Sequence, residues 1–126
     1  MTNPTDVVNV FLKAFEQKDY TAACQLISDN CEYTNMPLGM GTVKGPEGVR
    51  AVLEPFFAPT LSNEFLILHC VSHGDIVFTE RLDRHQLHDK WVELPVAGVF
   101  EVNEGKIVMW REYFDLNTIM SEWPQN

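Results

Sequence analysis

Arg81 and Asp83 stand two residues apart in a run, Ile76 to His85, that reads as a β-strand. Glu112 stands two residues after Trp110 in a second such run, Lys106 to Asp115. Alternate side chains of a strand share a face, so Arg81 pairs with Asp83 and Trp110 with Glu112. Where those faces meet, one cation lies between two carboxylates beside an aromatic wall. A carboxylate in the row Val108, Trp110, Glu112 and Phe114 is costly to bury unless it is satisfied. The planar fork of Arg81 can hold two carboxylates at once. Three readings fit this spacing: an acid/base site in which two carboxyl groups divide the roles of proton donor and acceptor, a buried ion-pair network without chemistry, and an exposed Arg81–Asp83 pair. Tyr33 and Asn35 share a face on an earlier strand, where a lone tyrosine is more often core than catalytic.

The elements that must position these groups are legible from periodicity. Thr5 reads as an N-cap with Asp6 in the first turn, and Val7, Phe11 and Ala14 recur at helical spacing to about Gln17. A second short helix is predicted from Tyr20 to Ile27, stopped by Ser28-Asp29-Asn30. Cys31 to Met36 reads as a short strand ended by Pro37, and Leu38 to Gly41 as a loop. Gly45-Pro46-Glu47 opens a helix whose stripe is Val49, Val52, Leu53 and Phe56, ended by Pro59. Phe65 to Val71, Ile76 to His85, Lys90 to Val102 and Lys106 to Asp115 then read as strands, with turns at His73-Gly74-Asp75 and Asn103-Glu104-Gly105. Both faces of these strands carry apolar residues, which predicts a sheet covered on both sides. Asp115 to Trp123 reads as a closing helix, with Asp115 better placed as its N-cap than as a base. Helices first and a run of strands after predict an α+β fold, one domain over residues 1–126, curved into a cone with one open mouth.

Composition narrows the function classes. Nine Lys+Arg against eighteen Asp+Glu give a net charge of −9, and no basic stripe is present, which argues against a nucleic-acid binder. Cys24, Cys31 and Cys70 form no CxxC pair. An odd count makes no disulfide framework, so they read as small buried hydrophobes of a reducing cytoplasm. Met1 to Asp6 lacks the basic start of a leader, and no apolar run approaches membrane-helix length, so no membrane partner is expected. His69, His73, His85 and His88 match no HExxH pattern, and a cation such as Arg81 would repel a metal. Gly39-x-Gly41 is a weak phosphate signal.

Tyr33-Thr34-Asn35-Met36-Pro37-Leu38, Thr79-Glu80-Arg81-Leu82-Asp83, Gly98-Val99-Phe100, Glu104-Gly105-Lys106-Ile107 and Trp110-Arg111-Glu112-Tyr113-Phe114-Asp115 together resemble the limonene-1,2-epoxide hydrolase family, in family order and over nearly the whole chain. The resemblance implies the cone fold shared with nuclear transport factor 2, ketosteroid isomerase and the small polyketide cyclases: a curved mixed β-sheet wrapped around N-terminal helices with a deep pocket. It also implies a homodimer, no cofactor, and a small apolar epoxide and water as reactants. By that resemblance Tyr33 and Asn35 position the attacking water, Arg81 bridges the acids and Asp83 protonates the epoxide oxygen. Glu112 is the general base where the family usually has aspartate. Leu94, Val96, Trp110 and Phe114 become pocket walls. His85, two residues beyond Asp83, stands where an apolar residue is expected. It reads either as a polar residue near the cone mouth or turn, or as a titratable group that shifts substrate preference. An isomerase or cyclase abstracting a proton beside a carbonyl, and a non-catalytic pocket or dimerisation module, are the alternatives.

Overall fold

The computed structural model describes residues 3–39 and 41–124. The expectations at Met1, Thr2 and Met40 lie outside the described residues. Helix α1 (Pro4–Glu16) buries Val7, Val8, Phe11, Leu12, Ala14 and Phe15 along one face. Its cap is Asn3, whose side chain accepts from the Asp6 amide at 3.2 Å, rather than Thr5. Pro4, with no N–H to lose, suits the first helical turn and moves the start upstream.

Helix α2 (Tyr20–Cys24) ends three residues before the expected stop. The chain is already in sheet pairing at Leu26, whose carbonyl accepts from the Ile107 amide at 2.7 Å. Strand β1 therefore runs from Ile27 to Asn35, through Ser28-Asp29-Asn30. Its register against the last strand shifts between Ile27 and Glu32, and polar turn-forming residues sit naturally at that irregularity. A 3-10 turn (Met36–Leu38) follows. Strand β2 (Thr42–Lys44), where only the preceding loop is legible in the sequence, then pairs antiparallel with β1. Helix α3 (Gly45–Phe57) starts at a glycine with φ +70°, where a Cβ would stand 2.8 Å from the Asp29 carbonyl oxygen.

Strands β3 (Ser62–His73), β4 (Ile76–Gln86), β5 (Trp91–Asn103) and β6 (Lys106–Phe114) form an antiparallel meander, and α4 (Leu116–Glu122) closes the described chain. Asp115 caps α4 through the Asn117 amide and the Thr118 hydroxyl. The six strands lie in the order β2-β1-β6-β5-β4-β3, with β1 and β6 parallel and the others antiparallel. The sheet is mixed and curved, and the core of α1, α3 and the concave face meets inside it.

One expectation fails: the sheet is not covered on both sides. Leu66, Leu68, Val71 and Phe78 are roughly half exposed or more, and Leu66, Val71 and Phe78 lie on the outer face by the β3–β4 register. The apolar alternation of β3 and β4 marks two surfaces, and only one is filled by this chain. Of the three cysteines, all free, only Cys31 is fully buried. Burial pushes its thiol up to about 12, beyond reach as a nucleophile at neutral pH.

Candidate active site

The concave face of four strands assembles the ionisable cluster. On β4, Val77, Thr79, Arg81, Asp83 and His85 are all buried, as strand alternation requires. Across the β4–β5 ladder Thr79 faces Gly98, Arg81 faces Val96 and Asp83 faces Leu94. Across β5–β6 Gly98 faces Glu112. Across the parallel β1–β6 ladder Asn35 faces Glu112 and Tyr33 faces Trp110. One glycine thus lies opposite the three groups with most to accommodate. A Cβ on Gly98 would fall against Glu112 Oε2, 2.6 Å from Arg81 Nη1 and 3.0 Å from Thr79 Oγ1. Gly98 belongs to the site as the space it leaves, and a glycine inside a strand is the sequence signal for such close approach.

Arg81 spends all five of its N–H donors. Nε and Nη2 donate to Asp83 Oδ1 and Oδ2, both at 3.0 Å. Nη2 and Nη1 donate to Glu112 Oε1 and Oε2 at 2.5 and 3.2 Å. Nη1 also donates to Thr79 Oγ1 at 3.0 Å. The side of the fork holds one carboxylate and its end the other, which is the bidentate geometry guanidinium favours. Arg81 and the two acids are all buried, so the exposed-pair reading of Arg81 and Asp83 does not hold. Thr79 had no assigned role in the sequence, although its place on the shared face was legible.

Burial opposes the charge on Arg81, but Glu112 and Asp83 outweigh it and hold the guanidinium charged. Burial raises the Glu112 pKa above the ordinary carboxylate range, with Arg81 opposing and the charge of Asp83 adding to the rise. The Tyr33 hydroxyl is pushed up by burial and then by Glu112, so it stays protonated. It donates to Asn35 Oδ1 at 3.0 Å, which leaves the Asn35 amide hydrogens as donors next to Glu112. The indole N–H of Trp110 is buried without a hydrogen-bond partner among the described residues, and it lies close enough to Glu112 to favour the ionised form. Trp110 is fixed by stacking on Tyr33 at 4.2 Å and by the edge of Phe11 at 4.9 Å.

These groups open on a cavity of about 460 Å³, lined by Tyr33, Asn35, Arg81, Asp83, Glu112 and mainly apolar walls. Leu94, Val96, Trp110, Phe114 and His85 all line it, joined by Phe15, Val52, Phe56, Phe57 and Ile119 from the helices. Its size lies in the range of small-molecule sites. His85 is buried, 2% exposed, among Phe56, Phe57, Phe65 and Trp123. Burial lowers its pKa to about 4, with Asp83 raising it and Arg81 lowering it further, so the ring is neutral at pH 7. Asp115 stands outside the site as a helix cap. Among the described residues, no three His, Cys, Asp or Glu side chains cluster in a way that could hold a metal ion.

A cone-shaped α+β fold with an arginine clamped between two buried acids on the wall of an apolar pocket defines a class of small-molecule enzymes. The limonene-1,2-epoxide hydrolase catalytic domain matches residues 2–125, and the chain belongs to that family. It is 30% identical to epoxide hydrolase EphG of Mycobacterium tuberculosis over 109 residues, 86% of this chain and 71% of that one. The solved structure of an M. tuberculosis LEH-like epoxide hydrolase superposes with a TM-score of 0.78 at 28% identity, covering 94% of this chain and 86% of that one. A structure from Shewanella denitrificans described as SnoaL-like, 12% identical, shares the fold with a TM-score of 0.82 over 94% of this chain and 95% of that one.

Proposed function

We propose that this enzyme adds water directly to a small, largely apolar epoxide and releases a vicinal diol, with no covalent intermediate. The observation that carries the reading is the double fork of Arg81 on Asp83 and Glu112 at the wall of the apolar cavity. Epoxide opening needs a base and an acid at the same moment. Water loses a proton as its oxygen attacks a ring carbon, and the ring oxygen gains one as its C–O bond breaks. Glu112, with a raised pKa, is the stronger base for being buried. Asp83, on the other side of the guanidinium, donates to the ring oxygen. Asn35 donates to the water through its amide, Tyr33 holds Asn35, and the Trp110 N–H lies beside Glu112, where it favours the ionised form. Arg81 keeps both acids in place and stabilises whichever of them is ionised. After turnover Asp83 has lost the proton that Glu112 has gained, and exchange with solvent restores the starting pair.

Turnover of a panel of cyclic and aryl epoxides in ¹⁸O-water tests the reading. The expected product is a diol carrying one labelled oxygen, with activity lost in Glu112→Gln. Absence of diol across the panel, together with solvent deuterium entering a carbonyl compound, would instead place the chain with proton-abstracting isomerases. The same reading carries a homodimer, and the uncovered apolar residues Leu66, Leu68, Val71 and Phe78 favour it.

A further inference from the structure

His85 carries a hydrogen-bond chain that leads away from the acids and fixes which ring nitrogen is protonated. Thr60 Oγ1 donates to the Phe57 carbonyl at 2.7 Å, which uses its single proton. Its oxygen therefore accepts from Asn63 Nδ2 at 3.0 Å. That contact orients the amide so that Oδ1 meets His85 Nδ1 at 2.7 Å. An amide oxygen only accepts, so Nδ1 carries the hydrogen and Nε2 presents a lone pair. Nε2 has no protein partner among the described residues, yet it is not among the sealed polar atoms, and His85 lines the cavity. The chain is supported throughout: Thr60 and Asn63 are buried, and Asn63 faces His85 across the β3–β4 ladder. Phe56, Phe65 and Trp123 set their rings against the imidazole at 90°, 75° and 84°, which holds it in place.

A neutral imidazole buried among aromatic rings at the cavity wall, with one nitrogen committed and the other without a hydrogen-bond partner among the described residues, is a polar handle in an aromatic stretch of that wall. It is built to accept a hydrogen bond, so it selects for donors. Building on the epoxide reading above, we infer that His85 Nε2 is a specificity-determining acceptor for a hydroxyl on the substrate, and that the preferred substrates are epoxides bearing an alcohol at the end remote from the ring. Asp83 and His85 are two residues apart on one strand face, about 7 Å. The hydroxyl therefore sits several bonds from the epoxide oxygen. A carbonyl or ether at the same position has no proton to offer and leaves the imidazole lone pair unpaired, which is what makes such a site discriminating.

The test compares kcat/KM for an epoxycycloalkane bearing a remote hydroxyl with that for its methyl ether, in the parent and in His85→Phe. The parent is expected to prefer the alcohol by about tenfold, the scale of one buried hydrogen bond, and His85→Phe to lose that preference. An equal ratio in both proteins overturns the inference. A second measurement depends on neither the variant nor turnover. The ¹⁵N resonances of the His85 imidazole in the parent are expected to report the Nδ1–H tautomer, with the Nε2 signal moving on addition of an unreactive cyclic alcohol and not of its methyl ether. An Nε2–H tautomer, or no response to the alcohol, overturns the inference even if epoxides are hydrolysed. A response to the alcohol without diol from any epoxide upholds the acceptor and sinks the hydrolase reading instead.

Discussion

At the scale of single residues, Glu112 stands where the family resemblance implies an aspartate, and the structure accommodates the extra methylene. Both glutamate oxygens reach the end of the Arg81 fork, over the space left by Gly98. Glu112→Gln is expected to lower kcat by about 10²- to 10⁴-fold with the far-UV circular dichroism unchanged, since it removes the proposed base but keeps an acceptor. Glu112→Asp draws the carboxylate back by about 1 Å or more, and a loss on the order of 100-fold in kcat is expected. If Glu112 is the base, as proposed, it must be ionised, and with its pKa raised the acid limb of the pH–rate profile should lie above the 4.5 of an ordinary glutamate. His85 makes a second, separate pH signature. The unfolded chain binds a proton near pH 6.5 that the folded chain refuses until about pH 4. The stability that neutral His85 contributes is therefore complete above the unfolded value and is lost as pH falls through that window, by roughly 3 kcal/mol. Urea titrations from pH 7 to pH 4 should show this slope in the parent and a flatter one in His85→Phe.

At the scale of elements, the parts with strict alternation were legible and the irregular ones were not. The alternate residues Val77, Thr79, Arg81, Asp83 and His85 on β4 could be placed on one face because a strand leaves no other choice. The chemistry-bearing rows of β1, β5 and β6 followed in the same way. Strand β2 escaped because three residues hold no periodicity, and the start of β1 was hidden by Ser28-Asp29-Asn30, which signal a turn and lie instead at a register shift. The relay from Thr60 through Asn63 to His85 joins the start of β3 to the end of β4, and nothing local in the sequence announces it. Helix α4 was legible with its cap. It places Trp123 flat on Phe56, with ring centroids 4.4 Å apart, and Ile119 on the pocket wall, so the last element described closes the cavity. Asp115→Ala should release about 1 kcal/mol of helix capping. Faster amide exchange in α4, with the central strands unaffected, would register it.

At the scale of the whole molecule, the outer face of the sheet carries what the sequence placed in a second covered layer. If a second copy covers it, Val71→Glu with Phe78→Glu should shift sedimentation from dimer to monomer, because two buried carboxylates would replace apolar contact. A parent chain that already sediments as a monomer would end that reading. The parallel pairing of β1 with β6 has a further consequence, for the order in which the site comes into being. Arg81, Asp83 and Glu112 lie on a meander of neighbouring hairpins, whereas Tyr33 and Asn35 reach them only when the first strand docks beside the last. Closing that long loop is entropically slow compared with hairpin formation. During refolding the charged clamp should therefore form before Tyr33 and Asn35, its proposed water-orienting partners, arrive. Strand ellipticity should recover ahead of the fluorescence change as Tyr33 stacks on Trp110, and catalytic competence should return with the second event rather than the first.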